Sequence, residues 1–368
     1  MVEAAPEDDP ELRRLLRDNP MEGEIRVSLE REPNAFLAAG VEGEPHHTIV
    51  ARGPDGIVGM GSRAVWNAFV NGEPCRLGYL SQLRVDRAHR GRKRLLQAGY
   101  DLLRSFRGPD EKPFDLTSIV ADNEVARRLL GAGVPGLPKY REIEEWSTLV
   151  VPTTSRPRRV DGVRIERGNR DLLAEVAACL ERNRQRYQFA PLFSAADLTS
   201  PERSRGLEPE DFFLAIVGGE AVGCMALWDQ SGFKQVVVHG YAPRIARWRP
   251  WLNRLSPLIR LSPLIGTPRL PEPGQRLPHA YLSHLAVDGD DPEIFQALVE
   301  AAYAEARARR YVYVVIGLAA RHPWRSWLER RFKPRTYSSV LYAVHWEDGA
   351  EAVENLDGRM PHVEVALL

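Results

Sequence analysis

Along the chain, short runs of alternating apolar and polar residues give way to a three-to-four-residue apolar spacing, and the same change recurs in the second half. Leu12, Leu15 and Leu16 share one side of a helix over 10–18, and IRVSLE from Ile25 reads as a strand. Helix signals return at 33–40. The stretch HTIVARGPDGIVGMGSRAVWNAFVNGEPCRLGYLSQLRV predicts three strands in an antiparallel meander, turning at a Gly-containing loop and at Asn71-Gly72. A helix over 91–106 follows, with Leu95, Leu102 and Phe106 on one face and Leu96, Tyr100 and Leu103 widening it. Strand FDLTSIVA, a helix opened by Asp122-Asn123, and strand EIEEWSTLVV complete the unit.

VPTTSRPRRVDG at 151–162 has no apolar period and reads as a linker, dividing a first domain, 1–150, from a second, 163–368. The second domain restarts the pattern: strand VRIERG, an amphipathic helix, hairpin FFLAIVGGEAVGCMALW, third strand KQVVVHGY, strand YLSHLAV, helix 291–309, strand YVYVVIG, helix 324–331 and strand SSVLYAVHW. HVEVALL at the end reads as a short strand or a docked tail. YLSQLRV at 79–85 and YLSHLAV at 281–287 agree at Tyr, Leu, Ser, Leu and Val, and each ends a meander and precedes the longest helix of its half. A duplicated domain is the economical explanation. The fold class expected is mixed α/β (α+β): two tandem units, each a largely antiparallel twisted sheet flanked by helices. An insertion at 242–279 has no counterpart in the first half. With Trp248 and Trp251 it reads as a helical flap packed on the second domain, or as a lid or acceptor-binding surface, and Pro243, Pro250, Pro257 and Pro263 are expected to break it into short pieces.

Composition narrows the possibilities. At 368 residues, with 43% hydrophobic and 27% charged residues, the chain can bury two cores. Fifty basic residues balance fifty acidic ones, so the chain as a whole has no field to gather nucleic acid or acidic membranes, and neither is expected as a partner. Cys75, Cys179 and Cys224 form neither a CxxC metal pair nor a disulfide framework; a reducing cytoplasm and no metal are expected. Residues 1–20 lack the apolar core of a signal peptide, and no apolar run approaches the roughly 20 residues a membrane-spanning helix needs. A monomer or homodimer is expected.

The candidate chemistry lies where the strand at 79–85 hands over to a helix. Arg87, Arg90, Arg92, Lys93 and Arg94 crowd around Gly91. The start of a helix carries unpaired N–H groups and the positive end of its dipole, so cations there repel the local field unless an anion is expected. The turn reads as a phosphate seat, and the backbone of Leu83, Arg84 and Val85 can pair with an extended amide-containing ligand by strand addition.

The segment LSQLRVDRAHRGRKRLLQAGYDLL, followed by SIVADNEVARRLL, resembles the GNAT superfamily of acyl-CoA-dependent N-acyltransferases over most of residues 25–150. The resemblance places Arg90, Gly91, Arg92, Lys93, Arg94 and Leu95 in the pyrophosphate turn, although Lys93 and Leu95 stand where the family has its two later glycines. Asn123 and Ala126 match the second motif. The family's usual tyrosine on the following helix is replaced by Leu130, for which Tyr140 is the nearest substitute. Ser81 and Gln82 stand where members often carry a glutamate base, and of these Ser81 is a second catalytic candidate beside Tyr140.

The resemblance implies direct transfer of an acyl group from acetyl-CoA, or another acyl-CoA, to an amine of a small-molecule or peptide acceptor, with the cofactor site in the first domain. Two other readings stay open: a non-catalytic ligand-sensing or interaction protein of the same fold, and an aminoacyl-tRNA-dependent transferase similar to those of peptidoglycan assembly. In the second half Asp288, Asp290, Asp291 and Glu293 occupy the corresponding turn and would repel a diphosphate, so that domain is expected to have lost cofactor binding. His284, at the matching strand position, reads as a core histidine.

Overall fold

The structure, a computed structural model, describes residues 1–54, 56–131, 133–259 and 270–368, with backbone alone at 252 and 254–259. The first half contains β1 (Val2–Glu3), α1 (Asp9–Asp18), β2 (Ile25–Glu30), α2 (Ala39–Glu42), β3 (His46–Gly53), β4 (Gly56–Val70), β5 (Glu73–Val85), α3 (Lys93–Ser105), β6 (Glu111–Val120), α4 (Glu124–Gly131) and β7 (Lys139–Pro152). The second contains β8 (Arg164–Arg167), α5 (Leu173–Arg184), β9 (Phe212–Val217), β10 (Glu220–Trp228), β11 (Gln235–Tyr241), α6 (Pro243–Ile259), β12 (His279–Val287), α7 (Pro292–Ala308), β13 (Tyr313–Ala319), α8 (Pro323–Phe332), β14 (Arg335–His345) and α9 (Ala350–Glu354).

Twelve strands form one mixed sheet in the order β1-β3-β4-β5-β6-β14-β7-β13-β12-β10-β9-β8. The meander β3-β4-β5 and the hairpin β9-β10 follow from alternating apolar residues and tight glycine turns. The centre of the sheet is less local. β14, from the far end of the chain, lies between β6 and β7, while β7 pairs with β14 and β13. Each half therefore lends its last strand to the other. Helices α3 and α4 cover one face of the first half over a core of Ile49, Leu80, Tyr100, Leu103, Ile119 and Tyr342. Another core contains Trp66, Leu77, Tyr79, Trp146, Phe189, Leu341 and Val363, so it draws on both halves.

Several local expectations change. β11 is not the third strand of a second meander; it pairs with β2 in a separate antiparallel ribbon that joins the halves. Of the expected 33–40 helix region only Ala39 and Gly40 are α-helical, at the start of α2. Among its described residues the insertion contains the 17-residue helix α6, in which Pro250 and Pro257 each remove one N–H donor without ending the helix; Pro263 lies outside the described residues. The final segment is a docked tail with a short 3-10 turn, Val365–Leu367, and Ala366 and Leu367 are buried.

Candidate functional site

Strands β5 and β6 run parallel, and their ladder ends at Tyr79↔Leu116, with Thr117 Oγ1 donating to the Leu80 carbonyl at 2.8 Å. β5 continues along β4 to Val85↔Gly59, and β6 continues along β14 to Val120↔Ser339. The two strands thus part beyond Tyr79. Leu83 and Val120, on the separating ends, remain 44% and 42% exposed, large values for apolar side chains at strand ends. A bulge sets the divergence: Ser62 faces Ser81 while Met60 faces Arg84, and Gln82 adopts φ +54°. The second copy repeats this geometry. The β12–β13 ladder ends at Tyr281, the heptamer equivalent of Tyr79, and His284 has φ +50° at the matching bulge.

The two copies differ at the following helix. In the first half, Asp86 caps a 3-10 turn by accepting from Ala88 N at 3.0 Å, and Gly91 takes φ +81°, with open space where a Cβ would sit. Helix α3 then starts after Arg92, which makes no side-chain cap, so its first N–H groups are unclaimed by a capping oxygen. Arg87, Arg90, Arg92, Lys93 and Arg94 are exposed, and none forms an ion pair among the described residues. Arg90 is nevertheless engaged: Nε donates to the Val85 carbonyl at 3.2 Å and Nη2 to Asn19 Oδ1 at 2.9 Å, bracing the turn against the strand end. Arg84 is held below the ordinary arginine range by burial and by repulsion from Arg31 and Arg90.

In the second half, Asp291 caps α7 by accepting from Glu293 N at 2.8 Å and Ile294 N at 3.1 Å. Arg182 and Asn183 hold Asp288 at 2.9 and 2.6 Å, while Arg186 and Tyr187 hold Asp290 at 3.0 and 2.5 Å. The equivalent helix start is already occupied by the chain's own carboxylates. His284 is buried against Phe193, Phe212 and Trp228, and burial holds it well below the usual histidine range, the environment of a core residue.

The remaining expected residues are placed as follows. Asn123 sits at the end of β6 and caps α4, its Oδ1 accepting from Ala126 N at 3.2 Å. Ser81 is half-buried opposite Ser62 at the bulge. Tyr140 packs beneath α3 and α4, with its hydroxyl 2.5 Å from that of Tyr100. Burial pushes Tyr100 up to about 12, and burial together with Tyr100 raises Tyr140 further.

The structure adds a cluster with no local sequence signal. Glu42, on α2, is held by Arg31 Nη2 at 2.5 Å, by Gln82 Nε2 at 3.0 Å and by His46 Nε2 at 3.1 Å. Burial alone would raise this carboxyl; Arg31, the His46 hydrogen bond and Lys234 outweigh it and hold Glu42 well below the usual range. Lys234, from the second half, is lowered to about 7 by burial first and by Arg31 second. Its Nζ donates to Ala366 O at 3.1 Å and to Leu368 O at 2.6 Å. The bulge therefore faces a charged wall built from both halves and the docked tail. Among the described residues no group of three His, Cys, Asp or Glu side chains is arranged to hold a metal ion, and no helix is long and apolar enough to cross a membrane.

Compared by sequence, no family model and no curated protein matches the chain. Compared by structure, it is similar to a GCN5-related N-acetyltransferase from Sphaerobacter thermophilus, at 16% identity and TM-score 0.50 over 80% of this chain and 79% of that one. It is also similar to Saccharomyces cerevisiae N-myristoyltransferase with bound myristoyl-CoA, at 12% identity and TM-score 0.57 over 91% of this chain and 75% of that one. At such identities the likeness is one of fold. The chain has the GNAT fold, a mixed sheet flanked by helices, over most of its length.

Proposed function

We propose that the protein is an acyl-CoA-dependent N-acyltransferase whose cofactor site lies in the first half, where β5 and β6 part and α3 begins. The observation that carries this reading is the contrast between the two helix starts: α3 is uncapped and lined with unpaired cations, whereas α7 is closed by Asp291. The diphosphate of acetyl-CoA, or of another acyl-CoA, binds the N–H groups at the start of α3, with Arg92, Lys93 and Arg94 around it. Its pantetheine amides pair with the β5 backbone at Leu83, Arg84 and Val85.

The acceptor is an amine of a small molecule or peptide, approaching the thioester from the Glu42 side. Its nitrogen lone pair attacks the thioester carbonyl carbon, the N–C bond forms, and the C–S bond breaks to release the CoA thiolate. The amine must first lose a proton. His46 takes it in this reading, in the tautomer whose Nε2–H is directed to Glu42 and whose Nδ1 accepts, and the second proton that the nitrogen sheds as the adduct collapses passes to the leaving thiolate. Tyr140, tied to Tyr100, is left as a packing group.

Calorimetric titration with acetyl-CoA tests the site. Saturable one-site binding is expected, weakened roughly 10- to 100-fold in Arg92→Glu/Lys93→Glu, since each reversal removes a cation and adds a repelling charge. No binding by folded wild-type protein overturns the reading.

A further inference from the structure

Helix α6 is held to the protein along one line of side chains. Ile245 is half-buried, the Arg249 guanidinium lies 5.8 Å from the Tyr241 ring and 2.6 Å from Glu272, and Asn253 exchanges hydrogen bonds of 2.9 and 2.8 Å with Leu270. These positions are four apart, which fixes the inward face of the helix. Arg244, Arg247, Trp248 and Trp251 then fall on the opposite side, and all four are exposed. Trp251 and Trp248 are 61% and 57% exposed, the second and third largest exposures among the large apolar side chains of the described residues, behind Val125 at 79%. Neither Arg244 nor Arg247 forms an ion pair among the described residues.

The charge distribution along the chain sharpens this. From Gln235 to Pro271 there is no Asp or Glu, while six arginines fall in the same span, at 244, 247, 249, 254, 260 and 269. A chain that is neutral overall therefore concentrates positive charge on one appendage and carries the balancing carboxylates elsewhere. We infer that the outward stripe of α6 is a docking surface for an anionic lipid bilayer, with the two indoles at headgroup depth and Arg244 and Arg247 on the lipid phosphates.

Three features select that occupant. The stripe pairs interfacial aromatics with arginine, the composition of helices that lie in a membrane surface. Its charge complements an anionic leaflet. A single convex helix face also lacks the groove in which a nucleic-acid strand is tracked. The surface lies outside the proposed acyl-CoA site, so the inference stands apart from the acyltransferase reading.

The test is flotation of the full chain with vesicles of phosphatidylcholine, with and without about one third phosphatidylglycerol. Wild-type protein is expected to float with the anionic vesicles only. Arg244→Gln/Arg247→Gln is expected to partition about 30-fold more weakly, from the electrostatic attraction lost with two arginines. Trp248→Ala/Trp251→Ala is expected to lose flotation while keeping its far-ultraviolet circular dichroism. The inference is overturned by three results: no flotation of folded wild type, flotation unchanged in both variants, or binding of a single-stranded oligonucleotide through these residues in place of vesicles.

Discussion

Gly78 offers a sharp test of how tightly β5 and β6 are packed where they are still paired, just before the candidate site. It lies on β5 one residue before the β5–β6 ladder ends, paired with Asp115. A Cβ there would stand 1.9 Å from Asp115 Oδ1 and 2.6 Å from Arg63 Nη2. Both belong to a buried network: the fully buried Arg63 donates to Asp115 at 2.9 Å and to Glu111 at 2.5 Å, and Arg107 reaches Asp115 at 3.1 Å. Asp115 is on the strand that must stay paired, so its carboxylate has little freedom to retreat, and Gly78→Ala displaces it from Arg63. Breaking a buried ion pair while leaving one charge in place costs about 3–5 kcal/mol, out of a total stability of about 5–15 kcal/mol. Gly78 lacks a left-handed backbone, so no φ strain adds to this. Guanidinium unfolding followed by circular dichroism measures it, with Gly131→Ala as the control, since a methyl there meets open space and should change stability by about 1 kcal/mol or less. A Gly78→Ala protein within about 1 kcal/mol of wild type would show that the network yields, and the argument that the Asp115 carboxylate cannot retreat would fall.

Two further outcomes are expected. Lys234 is lowered from 10.5 to about 7 in the folded chain. Below about pH 7 it is charged in both states and the burial penalty is complete; above that the folded chain releases the proton while the unfolded chain keeps it, so stability rises with pH up to the unfolded value. Wild type should therefore gain on Lys234→Met by about 1.4 kcal/mol per pH unit in that window, read from urea midpoints at about pH 6, 7.5 and 9; a pH-independent difference refutes it. His46→Gln should lower the turnover of an amine acceptor about 100-fold while leaving acetyl-CoA affinity unchanged, and retained turnover removes His46 as the base.

Local pattern carried most of the elements. The meander, the helix after YLSQLRV and the second-half helices follow from apolar spacing, and the cations around Gly91 fall at the start of α3. Partner choice was not legible. β7 and β14 each read as the last strand of its own half, and nothing in their alternation says that each pairs across to the other. The pairing of β2 with β11 is hidden for the same reason. The bond from Arg90 to Asn19 is hidden as well, because it depends on where α1 ends. The Glu42 cluster gathers Arg31, His46, Gln82 and Lys234 from separate segments, so no spacing rule could have assembled it.

The exchange of β7 and β14 also bears on the history of the chain. Two similar units that trade their terminal strands have the connectivity of a domain-swapped homodimer. Joining two such subunits end to end would preserve that connectivity in a single polypeptide, here across residues 151–162. Once joined, the copies need no longer be identical: one can keep an open helix start while the other closes its own with Asp291. A homodimer must change both sites with every mutation, whereas the fused chain can devote one copy to the ligand and the other to completing its partner's sheet.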